Sequence, residues 1–246
     1  MMKPRLFINA NLENNCEIIL QSEQRHYLVH TLRRKIGSEV IIFNGQAPLG
    51  EWDAIMIDSH PEVRLRVVRH HSIHRESPLA ITLVTGLIKG DAMEWLLQKA
   101  TELGVVSFIV LKTERTVARI SDERWPAKEK RWQKIIQEAT EQCRRVRLMT
   151  IHPPVSWSQL PALLPDGPRF LFWEEGEGSR LNVKQHPGQS ITLLTGSEGG
   201  LTADEVQKAS ADMGFEITTM GPRILRAETA AVAAVTAVQT IWGDVG

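Results

Sequence analysis

Two passages of one kind lie within residues 190–239, and together they narrow the fold more than any other feature of the chain. In each, a short apolar run stops at a glycine-containing loop and a helical pattern follows. The first runs from 191–195 into Gly196-Ser197-Glu198-Gly199-Gly200. The second runs from 215–220 into Gly221-Pro222-Arg223-Ile224-Leu225-Arg226. Strand, glycine loop, helix is the geometry by which open α/β sheets hold ligands at the carboxyl ends of their strands. Thr202 and Glu205 stand at capping-box spacing and mark where the helix after the first loop begins. Neither loop matches the GxGxxG dinucleotide fingerprint or a P-loop, so a phosphate-cradling nucleotide site is not expected.

The rest of the chain divides near Pro78. Before it, short strands are expected at 5–9, 17–20, 40–44, 52–57 and 63–68, with one helix over 22–32 and a turn at Asn44-Gly45. Alternation in Val63-Arg64-Leu65-Arg66-Val67 puts Arg64 and Arg66 on one face. Short strands with one helix suggest a small β-barrel-like domain. His70, His71 and His74 fall in the polar run up to Pro78, which reads as a solvated linker without metal-ligand spacing. After Pro78, strands at 79–85, 108–111, 148–151, 170–173 and 191–194 alternate with helices at 90–103, 122–143, near 157–164 and about 228–242. That alternation implies a mostly parallel, doubly wound sheet. The last helix is apolar almost all round, as in a helix buried on more than one side.

Lys and Arg balance Asp and Glu at 29 each, with the middle of the chain mildly basic and the last third acidic. A general polyanion binder is excluded; nucleic-acid contact must come from local patches. Two distant cysteines, Cys16 and Cys143, and no signal-peptide pattern suggest a reduced, cytoplasmic protein with no structural metal. No apolar run is long enough to span a membrane.

Several groups can carry chemistry, and each has a structural reading beside the functional one. The glycines let a backbone approach a flat or charged ligand, or simply make strand-to-helix turns. Arg223 and Arg226, with Glu228 opening the last helix, suit a charged ligand or a solvated helix start. Arg144-Arg145 with Arg147, and Arg33-Arg34-Lys35, suit phosphate contact or solvated turns.

The two loop segments closely resemble those of the bacterial 16S ribosomal RNA uridine-N3 methyltransferases, in the SPOUT superfamily of knotted methyltransferases. Ser197 stands where that family usually has proline, and Ala227 where it usually has threonine. Lys89-Gly90-Asp91 through Gly104, Glu138 through Arg145, and His26-Tyr27-Leu28 through Gly37 are similar to further segments of the family.

The resemblance implies a PUA-like RNA-binding β-barrel domain over 1–75 and a SPOUT methyltransferase domain with a trefoil knot over 76–246. It implies a homodimer acting on 16S rRNA within the small ribosomal subunit, with S-adenosylmethionine as cofactor and no metal. Cofactor contacts would come from Trp173, Thr195, Gly196, Glu198, Gly199, Gly200, Met220, Gly221, Ile224, Leu225 and Arg226. Arg223 and Arg226 would stabilise charge on the target base or anchor phosphate, with Glu228 or Glu198 as proton acceptor. Arg5, Arg33, Arg34, Arg144, Arg145 and Arg147 would grip RNA. A ribose 2′-O-methyltransferase and a non-catalytic RNA-binding assembly factor are the alternatives.

Overall fold

The computed structural model describes residues 3–116, 120–174, 181 and 188–246. The chain forms two compact units: residues 1–76 with 140–148, and residues 77–139 with 149–246.

The first unit is a five-stranded sheet. Its strands are β1 (Arg5–Phe7), β2 (Glu17–Ile19), β3 (Glu39–Phe43), β4 (Gly50–Asp58) and β5 (Arg64–Ser72), in the order β1-β3-β4-β5-β2. β1 and β3 are parallel and the remaining pairs antiparallel. Period-2 alternation drives one face inward: Leu65 and Val67 are buried while Arg66 and Val68 between and beside them are exposed. Leu28, Val40, Ile42, Ala54 and Met56 complete that core. The expected helix over 22–32 is an α-helical turn, α1 (Ser22–His26), followed by a π-turn at Tyr27–Thr31.

One expectation is corrected here. β5 continues through Ser72, so His70 and His71 are strand residues rather than linker. Pairing with β4 is maintained past a bulge at Asp53/Ala54. The His70 ring lies tilted against Trp52 with centroids 4.7 Å apart, and His71 Nε2 lies 2.6 Å from Asp53 Oδ2.

The second unit is built on β6 (Ala80–Gly86), β7 (Val105–Leu111), β8 (Thr150–Val155), β9 (Arg169–Phe172), β10 (Ser190–Thr195) and β11 (Phe215–Thr218). Their order is β11-β9-β10-β6-β7-β8, with every neighbouring pair parallel. β6 and β10 are buried almost throughout, as parallel strands covered on both faces must be. β8 closes one edge and holds Pro153 and Pro154, residues that an edge strand tolerates because one side needs no donor.

The helices are α2 (Gly90–Glu102), α3 (Trp125–Cys143), α4 (Ala203–Met213) and α5 (Ala227–Trp242), with a 3-10 turn at Leu160–Leu163. α5 packs on β10, β6 and α2, and α4 packs on β11. The capping box forms as spaced: Glu205 N donates to Thr202 Oγ1 at 3.2 Å and Thr202 N to Glu205 Oε2 at 2.9 Å. Gly214 ends α4 in the left-handed conformation, at φ +69°. α5 buries Ala231, Ala234, Val235 and Val238. Its one buried amide, Gln239, is satisfied by Ser77 Oγ at 2.9 Å and the Leu103 carbonyl at 2.7 Å.

Candidate active site

Register places the glycine loops together. Phe172, Thr195 and Thr218 form one row across β9, β10 and β11, and Thr85 of β6 extends it. The segments after these residues therefore leave the sheet together at the carboxyl ends of their strands, where parallel α/β sheets bind ligands. The buried hydroxyls in the row are all partnered: Thr195 Oγ1 donates to Thr85 Oγ1 at 3.1 Å, Thr85 Oγ1 to the Gly86 carbonyl at 3.2 Å, and Thr218 Oγ1 to the Glu216 carbonyl at 3.3 Å.

The loop after β10 is fixed on three sides. A Cβ on Gly86 would lie 2.5 Å from Ser197 N, so glycine there lets the backbones after β6 and β10 touch. Lys89 N donates to Glu198 Oε1 at 2.7 Å. Arg115, from the loop after β7, donates through Nη1 to the carbonyls of Gly199 at 3.4 Å and Leu201 at 3.5 Å. The loop closes through Gly200 N to the Ser197 carbonyl at 2.9 Å. A Cβ on Gly200, at φ +69°, would lie 2.7 Å from Glu174 Oε1, which brings the β9 and β10 loops against each other.

Below this loop, Glu205 is a junction. Its buried carboxylate accepts from Thr202 N, from Glu114 N at 2.8 Å and from Trp157 Nε1 at 2.9 Å. Two buried groups nearby have no hydrogen-bond partner among the described residues, Ser197 Oγ and Trp173 Nε1. Trp173 N donates to the Thr218 carbonyl at 3.3 Å, which ties the β9 loop to β11.

The third loop is more open. Gly221 sits at φ +109° with nothing within 4 Å of an added Cβ, so glycine serves the backbone turn here rather than a close contact. Met220 and Leu225 are half-buried, and Ile224 is 84% exposed. Arg223 and Arg226 are exposed; Arg226 is the N-cap of α5 and its carbonyl accepts from Ala230 N at 2.8 Å. Glu228 lies in the first turn of α5, where the helix dipole favours a carboxylate.

The residues expected to grip RNA separate into two groups within the first unit. Arg5 has its guanidinium over the Phe43 ring at 3.8 Å, pairs with Glu51 at 2.7 Å, and donates to the carbonyls of Thr140 at 2.9 Å and of Arg145. Burial lowers its pKa against the opposing pull of Glu51. Arg145 is buried and pairs with Glu76 at 2.8 Å. The guanidinium groups of these two expected RNA contacts are engaged inside the unit. Arg33, Arg144 and Arg147 are exposed and Arg34 is half-buried.

Gly86, Lys89, Arg115, Glu174 and Glu205 complete the site beyond the residues expected to bind cofactor. Lys89 and Glu205 lay within motifs already visible. Gly86 and Arg115 join the loop across long sequence separations that no local pattern signals.

A parallel sheet with glycine loops at the carboxyl ends of neighbouring strands defines an α/β domain of the kind that holds ligands there. Residues 75–239 match the family model described as an RNA methyltransferase domain. Over 230 residues the chain is 33% identical to the ribosomal RNA small subunit methyltransferase E of Bacillus subtilis, covering 89% of this chain and 88% of that one. It is 32% identical to the protein of that name from Buchnera aphidicola (strain APS), covering 98% of this chain and 94% of that one. The solved ribosomal RNA small subunit methyltransferase E of Neisseria gonorrhoeae, bound to S-adenosylmethionine, superposes with a TM-score of 0.89 at 29% identity over the whole of both chains. The chain belongs to the RNA methyltransferase family, in the group of the ribosomal RNA small subunit methyltransferases E.

Proposed function

We propose that the protein transfers the methyl group of S-adenosylmethionine to N3 of a uridine in the decoding region of 16S rRNA. The observation that carries this is the row Phe172–Thr195–Thr218, which delivers three loops together at the carboxyl ends of their strands. The relatives' names supply ribosomal RNA of the small subunit, and the Neisseria protein holds the cofactor.

The residues present fit that cofactor. Gly221 has open space about its Cα, and two buried groups beside the loops, Ser197 Oγ and Trp173 Nε1, have no hydrogen-bond partner among the described residues. The cofactor supplies a methyl already activated by a positive sulfur. Residues 195–200 and 220–226 would hold and orient it, so much of the rate would come from alignment of methyl and N3.

Uridine N3 carries a proton and titrates well above neutrality, so it needs help to become a nucleophile. Arg223 and Arg226 stabilise the anionic base. Glu228 or Glu198 takes the proton; Glu198 also accepts from Lys89 N through Oε1. N3 lies on the Watson–Crick edge, so the base enters unpaired or flipped.

The return of the chain from edge strand β11 to α5, packed on β10 and β6, supports a SPOUT trefoil knot. The five-stranded unit supports a PUA-like RNA-binding domain, to which we add 140–148. Val232, Ala233 and Ala237 form a half-buried small apolar face of α5, and 84% exposed Ile224 adds apolar surface; both support a homodimer. Among the described residues no helix is long and apolar enough to cross a membrane, and a cytoplasmic setting is the one in which ribosomal subunits are met.

Calorimetry with S-adenosylmethionine, paired with methyl transfer to small subunits from a strain lacking the enzyme, tests the proposal. Saturable binding and one methyl per subunit are expected; binding without transfer would leave only an RNA-binding factor. Arg226→Ala should slow single-turnover transfer by ~10², and an unchanged rate would remove Arg226 from that role.

A further inference from the structure

The loop after β6 meets the loop after β10 at two points. A side chain on Gly86 would collide with Ser197, and further along Lys89 N donates to Glu198 Oε1 at 2.7 Å. Both Lys89 and Glu198 are exposed. Among the described residues the Lys89 ammonium has no partner, and neither has Glu198 Oε2. The Lys89 backbone therefore fixes the glutamate, while the two charged ends stand free of each other.

Local stability does not account for this lysine. Lys89 is the N-cap of α2 and makes no side-chain cap bond. Ser, Thr, Asp or Asn is favoured there, and a cation opposes the helix dipole. The next residue, Gly90, sits at φ +56° with nothing within 4 Å of an added Cβ, so the turn leaves open space beside the lysine. Real proteins break such local rules at functional sites.

A positive and a negative charge held side by side, and not on each other, complement a ligand that carries both. An α-amino acid is such a ligand: its ammonium suits a carboxylate, and its carboxylate suits a lysine. The methyl donor of the proposed reaction ends in that group. We infer that Lys89 and Glu198 recognise the amino-acid end of S-adenosylmethionine, Lys89 taking the carboxylate and Glu198 the ammonium. This rests on the reading of the chain as a methyltransferase that uses this cofactor. It makes both residues anchors of the cofactor and leaves the uridine proton to Glu228.

Lys89→Met and Glu198→Gln test it by calorimetry with S-adenosylmethionine, its decarboxylated form and 5′-methylthioadenosine. Methionine keeps the apolar stem of the lysine, and glutamine keeps an acceptor for Lys89 N, so both variants should fold and bind 5′-methylthioadenosine as the wild type does. Lys89→Met should weaken S-adenosylmethionine about tenfold and leave the other two ligands, which lack the carboxylate, unmoved. Glu198→Gln should weaken S-adenosylmethionine and its decarboxylated form by a similar factor, since both keep the amine. If either variant weakens all three ligands alike, its side chain supports the loop and the inference falls. If either weakens none, the inference falls as well, and loss of small-subunit binding in that variant would reassign the residue to RNA. A wild-type protein that binds none of the three would overturn the parent reading, and this with it. One that shows these preferences and transfers no methyl would overturn the methylation and leave this inference standing.

Discussion

Gly86 has no room for a side chain. The Cβ of Gly86→Ala would lie 2.5 Å from Ser197 N and 2.8 Å from Ser197 Cβ, and Ser197 is a buried residue whose backbone cannot swing aside. Overpacking of this kind costs about 1–3 kcal/mol. The variant should melt several degrees lower and bind S-adenosylmethionine more weakly; an unchanged affinity would mean that the loop after β10 is placed wrongly. Gly221 behaves differently despite its similar place in sequence. Nothing lies within 4 Å of an added Cβ, so Gly221→Ala acts through its φ of +109°, at a cost of about 1–3 kcal/mol of backbone strain. Ser197 is the position where the family's proline is absent. Its buried hydroxyl lacks a partner among the described residues, so Ser197→Ala should leave the free protein equally or slightly more stable. Cofactor dissociation should strengthen in the opposite sense, with Kd rising about fivefold for a lost hydrogen bond of ~1 kcal/mol. Equal Kd values would show that the hydroxyl does not face the ligand.

At the scale of elements, Glu205 joins α4 to the loop after β7 and to Trp157. Glu205→Ala removes a helix cap and strands the N–H of Glu114 and the indole of Trp157, so a loss of about 2–4 kcal/mol is expected in denaturant unfolding. Glu205→Gln keeps an acceptor and should lose less. The cap was legible because Thr202 and Glu205 stand three apart. Its other partners were not, since Trp157 and Glu114 lie 48 and 91 residues away. The same limit explains β5. Alternation made 63–68 visible as strand, whereas His70 and His71 are held in it by pairing with β4, which polar composition conceals. Arg5 and Arg145 looked like exposed cations for a related reason: charge is readable in sequence, but the carboxylates of Glu51 and Glu76 that draw them inward are distant. Between β7 and β8, burial holds the His152 imidazole below its usual range, with Nε2 at 3.1 Å from Ser107 Oγ. The folded state therefore resists protonation that the unfolded chain accepts below pH ~6.5. That stability is present above the unfolded pKa and is lost as pH falls through the lower folded value. His152→Gln should flatten this part of the melting-temperature profile between pH 7 and 5, and an unaltered profile would assign the dependence elsewhere.

For the whole molecule, the two glycine loops, the alternating second half and the short-stranded first half carried the architecture, because each is a local pattern. The parallel order β11-β9-β10-β6 is not local: it sets which loops meet, and it brings the segment after β9 beside those after β10 and β11. The division of the chain is likewise non-local, with 140–148 belonging to the first unit although the chain has long since entered the second. The proposed function builds on those placements. In that proposal, loops at the carboxyl ends of neighbouring strands hold the methyl donor, and Arg223, Arg226 and Glu228 serve a nucleophile that must first lose a proton. The chemistry of the methylated atom is thus the claim on which the account turns. Purified protein, S-adenosylmethionine and small subunits from a strain lacking the enzyme should yield, on nucleoside mass spectrometry, 3-methyluridine at a single site in the decoding region. Methyl on a ribose 2′-oxygen, or on a base atom other than N3, would contradict it.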